Sequence, residues 1–302
     1  GETGGDEPDG RAAHDVIVSS APATVRGEVG VVTSAGRMIK LSVLEFPALP
    51  PSAAFPGLSG GTPVGEFTEM ENGETVIALA SLDTPQAGIA LGTASGVVKR
   101  VQPDYPQNRD EFEIITLKDT DRVVGAVQLT SEDQDLVFIS SDAQLLHFPA
   151  SAVRPQGRSA GGMAGIRLAA RASVIWFGAV AADAPAGAAG PLVVTVAGND
   201  GALPGTGAGS VKVSDYSEFP AKGRATGGVR CHRFFKGEDA LTLAWAGAAP
   251  ALGATEAGVP VELPTELGRR DGSGIPLPEP LGALGGTPAS FGRAAAAGTP
   301  SA

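Results

Sequence analysis

A chain of 302 residues with 43 Gly and 24 Pro has room for one large all-β domain or two ordinary ones, and such punctuation favours short strands and tight turns over long helices. No stretch approaches the roughly 18 apolar residues of a membrane span, no charged start with an apolar core marks a secretory signal, and a single cysteine, Cys231, excludes an internal disulfide framework and fits a reducing cytoplasm. The net charge of −11 argues against nucleic acid only until its distribution is read: residues 1–150 hold 9 basic and 22 acidic groups, residues 151–236 hold 10 and 4, and residues 237–302 hold 3 and 7.

In chain order, Gly1 to about residue 12 is Gly- and acid-rich and reads as a linker. Five stretches then share one pattern: an apolar strand, a small or polar turn, a second apolar strand carrying Lys or Arg, and a Pro-aromatic corner. They run from Val29 to Pro47, Ile89 to Pro106, Leu136 to Pro155, Leu192 to Pro220 and, most degenerate, Leu241 to Gly268. Ala35-Gly36 and Ser95-Gly96 place glycine where a tight hairpin needs positive φ, and Asp142 tolerates that region in the third. In the fourth, Gly205 to Gly209 reads as a flexible insertion at the turn, with no helix or Lys-Ser/Thr end to make it a nucleotide loop. From Ile275 onward Pro, Gly and Ala dominate, and the expectation is a disordered tail. One long hairpin per repeat of about 50 residues predicts blades around an axis, a propeller-like all-β fold over residues 13–274.

A second element recurs between hairpins: a paired-glycine loop. Its instances are Gly57 to Gly61, Gly157-Arg158-Ser159-Ala160-Gly161-Gly162, Gly223-Arg224-Ala225-Thr226-Gly227-Gly228 and, more weakly, Arg269 to Gly274; the second interval has Asn108-Arg109-Asp110-Glu111 instead. Glycines let backbone N–H groups approach a phosphate and a neighbouring Arg adds a forked charge; the same glycines also serve simply to turn the chain.

These hairpins, with Arg154 to Leu168 and Phe219 to Phe234, resemble the C-terminal β-pinwheel of bacterial topoisomerase IV and gyrase A subunits, in an actinobacterial-like version, over roughly Ala13 to Gly274. The resemblance implies an all-β pinwheel of five or six blades that exchange strands and bind and bend duplex DNA on an outer rim. Five visible hairpins leave room for a missing blade, of which His14 to Val18 is then a leftover strand. Gyrase carries a box of Gln, basic residues and glycines, Q-R/K-R-G-G-R/K-G; the nearest match, Gln156 to Gly162, lacks the dense basic pattern and favours topoisomerase IV. The implied partners are duplex DNA, the rest of the topoisomerase A subunit and the ATPase B subunit, in the cytoplasm at the nucleoid and with no membrane role. ATP and Mg²⁺ belong to the holoenzyme and no cofactor to this chain, which is a non-catalytic part of an isomerase.

The DNA-contact candidates are Arg154, Arg158 and Arg167 around the third repeat, and Lys212, Lys222, Arg224, Arg230 and Arg233 around the fourth. Lys40, Lys99 and Arg100 on outgoing hairpin strands extend the path. The two tyrosines, Tyr105 and Tyr216, sit at equivalent corners and read as packing residues rather than the nucleophile of strand cleavage. Cys231-His232 has no second pair at zinc-ligand spacing. Two other readings stand beside the first: a gyrase-type wrapping domain, and a protein-interaction propeller whose acidic first half meets a basic partner.

Overall fold

Each blade grows from a hairpin whose two apolar runs pair because a single positive-φ residue lets the chain reverse tightly. The computed structural model describes residues 14–48, 58, 61–82, 87–181, 187–202 and 209–287, and in them the strands form five sheets around an axis. Blade 1 holds β1 (Glu28–Thr33) and β2 (Arg37–Ser42), turning at Gly36 with φ 77°. Blade 2 holds β4 (Ile89–Thr93) and β5 (Val97–Val101), turning at Gly96 with φ 92°. In blade 3, β8 (Asp135–Ser140) pairs with β9 (Gln144–Pro149), and the positive φ falls on Ala143 rather than on Asp142, whose carboxylate instead accepts from the Ser140 hydroxyl. Blade 4 pairs β13 (Leu192–Gly198) with β14 (Ser210–Asp215). Most of its turn insertion, residues 203–208, lies outside the described residues.

A third strand follows each hairpin and pairs with its first strand on the axis side. These inner strands are β3 (Val76–Ser81), β7 (Val123–Gln128), β12 (Val174–Val180) and β16 (Ala240–Gly247). They pack one on the next, so the core lies where neighbouring blades meet. Phe138, Phe148 and Phe177 fill one such seam, with Phe138 and Phe177 rings 4.8 Å apart. Truncating Phe138 to Ala there removes about 3–5 kcal/mol.

Between hairpin and inner strand the second, third and fourth repeats each also give a short strand to the preceding blade. β6 (Glu111–Glu113) joins β2, β10 (Pro155–Gln156) and β11 (Met163–Ala164) join β5, and β15 (Val229–Arg230) joins β9. Strand exchange of this kind removes a free sheet edge from each blade and ties successive blades together.

Two boundaries differ from those expected of the sequence. Leu241 to Gly247 is not the first strand of a fifth hairpin: it lies in β16, the inner strand of blade 4. The fifth hairpin is the short pair β17 (Leu252–Ala254) and β18 (Pro260–Val261), turning at Gly258. Hairpin and inner strands are equally apolar, so the pattern shows a strand without showing its place in the blade. The ordered chain also does not stop at 274. β19 (Ile275–Pro276) joins β14, and β20 (Ala283–Gly285) is the inner strand of blade 5. Pro and Gly here make two- and three-residue strands too short for any period to show. Residues 1–12 and 288–302, read as linker and tail, lie outside the described residues, as does most of the Gly57–Gly61 loop. His14 to Val18 belongs to no further blade: Ile17 bridges Gly286, beside β20.

Candidate nucleic-acid interface

The eleven basic candidates fall into two sets that the structure separates by depth. Counted from the turn residues Gly36, Gly96, Ala143 and Gly209, the third residue along the outgoing strand is Ile39, Lys99, Leu146 and Lys212; the fourth is Lys40, Arg100, His147 and Val213. Side chains alternate across a strand, so these two positions face opposite ways. Neither faces the solvent.

Lys99 is fully buried and donates to the carbonyls of Ile114, Arg158 and Ala160 at 2.8, 2.9 and 2.7 Å. Lys212, 3 % exposed, donates to the carbonyls of Arg269, Arg270 and Gly272. With Gly162 aligned on Gly274, Arg158 and Ala160 correspond to Arg270 and Gly272, so each lysine holds the same carbonyls of the glycine loop arriving from the next repeat. Burial pulls both ammonium groups down to about 8, which still leaves them mostly charged at neutral pH, where three carbonyl oxygens replace the lost water.

The next position fastens the corner of the following blade. Lys40 donates to the Pro106 carbonyl at 2.7 Å, Arg100 to the Val153 carbonyl at 3.0 Å and to Glu132 at 2.7 Å, and the His147 ring contacts the Phe219 carbonyl at 2.8 Å. The Lys40 side chain is 7 % exposed, and Arg100 is 3 % exposed. His147 also pairs with Asp135 at 3.0 Å; although burial alone would push the imidazole down, Asp135 and the Phe219 carbonyl raise it, and the pair holds Asp135 low. Lys212, read as a DNA contact of the fourth repeat, and Lys40, Lys99 and Arg100, read as extending the path, are therefore blade-to-blade fasteners with no charge free for a phosphate. A basic residue on an outgoing strand looks the same in sequence whether it meets solvent or a neighbouring blade's carbonyls.

The second set lies on the outer edges of blades 2 to 4. Arg154, Arg167, Lys222, Arg230 and Arg233 are exposed, and Arg158 and Arg224 are half-buried. The half-buried pair, at equivalent loop positions, reaches back to the previous donated strand: Arg224 donates to the Ala164 carbonyl at 2.7 Å, and the Arg158 guanidinium lies over the Phe112 ring, 5.5 Å from its centre. Arg270 repeats the contact on the Arg230 carbonyl at 3.2 Å. These arginines grip the scaffold while keeping part of the fork at the surface.

Arg167 and Lys222 come together on a shared groove of about 590 Å³ with Thr226, Gly227, Gly228 and Gln144. The Arg233 amide donates to the Gly272 carbonyl, which sets Arg233 beside the loop carrying Arg269 and Arg270. Sequence reasoning does not single out Arg269, whose side chain is 87 % exposed; its loop's equivalence to those holding Arg158 and Arg224 is the signal that finds it. Blade 1 has the opposite sign at the corresponding edge, where Glu111 and Glu113 are exposed and Arg37 is tied to Glu74 and Glu111.

The remaining candidate chemistry is packed away. Tyr216 is buried and donates to Asp135, while Tyr105 stacks on Phe112 at 5.7 Å. Burial pushes the Cys231 thiol up to about 12 and His232 down to about 4, with Thr195 within 2.9 Å of the imidazole.

A family model described as the DNA gyrase C-terminal domain, beta-propeller, matches residues 29–53, 134–181 and 205–231, which take in the first and third hairpins and the second strand of the fourth. The DNA gyrase A subunit of Staphylococcus aureus strain MRSA252 is 36 % identical over 141 residues, 45 % of this chain. The fold agrees. The C-terminal domain of DNA topoisomerase IV superposes with a TM-score of 0.70 at 18 % identity, covering 90 % of this chain and 83 % of that one. The chain is similar in sequence to gyrase A subunits, and its fold is that of the C-terminal domains of type IIA topoisomerase A subunits. The fold also matches a gyrase A C-terminal domain, with a TM-score of 0.61 at 14 % identity over 91 % of this chain and 89 % of that one. The matched segment spans 15 % of the length of the gyrase relative.

Proposed function

We propose that this pinwheel binds duplex DNA along the outer edges of blades 2 to 4 and bends it there, serving the topoisomerase A subunit to which it is joined and, through it, an ATPase B subunit. The observation that carries the reading is the separation of basic residues by depth. With the hairpin lysines consumed inside, the exposed Arg154, Arg167, Lys222, Arg230 and Arg233 form a surface set on one sector while blade 1 stays acidic. Loop arginines suit forked phosphate contacts, and lysine a compact one. Contacts of this kind position a duplex without reading its sequence. An acidic first blade would release the duplex at that end, so the path is an arc rather than a full turn.

The topoisomerase IV-like role, with relaxation and decatenation rather than wrapping, is supported by the sparse Gln156–Gly162 segment. The gyrase reading is favoured by the 36 % identity to a gyrase relative. In the assembled enzyme, the gyrase reading predicts negative supercoils introduced into a relaxed circle. The topoisomerase IV reading predicts unlinking of catenanes with no supercoils introduced. Binding itself is tested by titrating the domain with a short duplex at two salt concentrations, where loss of binding at the higher salt is expected and indifference to DNA at both salts removes the proposal.

A further inference from the structure

The junction of blades 3 and 4 differs from its neighbours in the chemistry of its fastener. Lys40 spans the junction of blades 1 and 2, Lys99 and Arg100 that of blades 2 and 3, and Lys212 that of blades 4 and 5. At the junction of blades 3 and 4 the same two strand positions hold Leu146 and His147, so the work of a Lys or Arg falls to an imidazole.

His147 grips the corner that follows β14 at both of its ends. Its ring Nε2 lies 2.8 Å from the Phe219 carbonyl oxygen, and its own backbone carbonyl accepts from the Lys222 amide at 3.1 Å. Residues 219–222 are therefore a short loop pinned on one residue of β9, and Lys222 leaves that loop to line the groove with Arg167. The other ring nitrogen, Nδ1, stands 3.0 Å from Asp135 of β8, whose same carboxylate oxygen accepts from the Tyr216 hydroxyl at 2.9 Å. Both ring nitrogens thus face acceptors, and only the imidazolium has an N–H for each. A neutral ring has one N–H. The charged Asp135 is the stronger acceptor and keeps it, which leaves a lone pair against the Phe219 carbonyl.

The other charged groups of the elements packed on the ring are engaged elsewhere. Asp215 and Glu218 of the corner accept from the Ser217 and Arg270 amides, and Arg230 of β15 stands opposite Gln144, three residues back along β9. Burial pushes the imidazole down, but Asp135 and the Phe219 carbonyl outweigh it and raise it.

We propose that the His147 imidazolium is a positioning residue for the DNA-binding edge: it holds the 219–222 corner so that Lys222 faces the groove, and its loss of a proton as pH rises releases the corner and weakens duplex binding. The proposal rests on the DNA reading given above.

The test measures duplex affinity by fluorescence anisotropy at fixed salt, from about pH 6 to about pH 8.5, in the parent and in His147→Lys, while NMR follows the His147 ring and the Lys222 amide. His147→Lys places here the residue that blade 1 carries as Lys40, so the corner keeps a donor that does not titrate with the imidazole. The expected result is a parent affinity that falls by about threefold or more with the His147 titration, a Lys222 amide resonance that moves with the same midpoint, and a flatter affinity profile in the variant. Lys99 and Lys212, both pulled down to about 8, and His14 are common to the two proteins, so the difference between the profiles belongs to His147. A parent profile no steeper than that of His147→Lys overturns the proposal, as does a Lys222 amide that ignores the His147 titration. If His147→Lys does not fold, Asp135→Asn decides: without the carboxylate the fall in affinity moves to lower pH, and an unmoved midpoint overturns the proposal. Absence of duplex binding by the parent at every pH removes the DNA reading itself, and the Lys222 resonance then still decides whether His147 holds the corner.

Discussion

Lys99 and Lys222 are both lysines of the repeat pattern, yet the fold gives them opposite work. Lys99 has no exposed surface and spends all three of its donors on carbonyls from two arriving segments; Lys222 stands at the open edge of a groove beside Arg167. The same division separates Lys40, Arg100 and Lys212 from Arg154, Arg230 and Arg233. In this ring the position of a basic residue relative to its hairpin turn decides its role. Those three or four residues past the turn fasten the next blade, and those in the loops beyond the corner meet solvent.

The largest effect that would sharpen this contrast is on stability. Lys99→Met leaves three buried carbonyls without a donor, and we expect a loss of about 3 kcal/mol or more in chemical denaturation, whereas Lys222→Met leaves stability unchanged. Equal effects at the two sites would erase the distinction. The next is on binding. Lys222→Glu combined with Arg233→Glu should weaken duplex affinity by about tenfold or more at about 0.1 M salt and lower the slope of log affinity against log salt by about 2, near 0.9 for each phosphate no longer neutralised. Arg224→Ala should have a smaller effect, because its guanidinium already donates to Ala164; a modest fall in both melting temperature and affinity is expected.

The pH dependence separates two buried imidazoles. His232 is held down to about 4, chiefly by burial and then by Lys212, so between pH 6.5 and 4 the unfolded chain takes up a proton that the folded chain refuses. Stability therefore falls through that window on acidification. His147 is raised in the folded state, so its contribution is fully present below 6.5 and fades as pH rises through its folded value. Melting curves of His232→Asn should show a flatter acidic limb than the parent, and those of His147→Asn should lose stability mainly on the acidic side.

The hairpins are legible in the sequence because each combines apolar β-branched strands with a turn of restricted chemistry, as at Thr33 to Arg37 and Thr93 to Val97. Strand rank within a blade is not: Leu241 to Gly247 and Leu192 to Gly198 read alike, and only pairing shows one as inner strand and the other as hairpin. The two-residue strands at Val229–Arg230 and Ile275–Pro276 are too short to carry a period. For the site, the glycine loops point to Arg158, Arg224 and their neighbours, but burial at Lys99 comes from Ile114 and from residues 158 to 160, far along the chain, and no local pattern records it.

DNA binding by the outer edge is tested most directly by fluorescence anisotropy of a short labelled duplex with the parent domain and with the Arg167→Glu/Lys222→Glu variant, at two salt concentrations. Salt-sensitive binding by the parent that falls at least about tenfold in a variant with unchanged melting temperature is the predicted result. Equal affinity of the two proteins, or no binding by the parent at the lower salt, would contradict the claim that the exposed edge of blades 2 to 4 holds DNA.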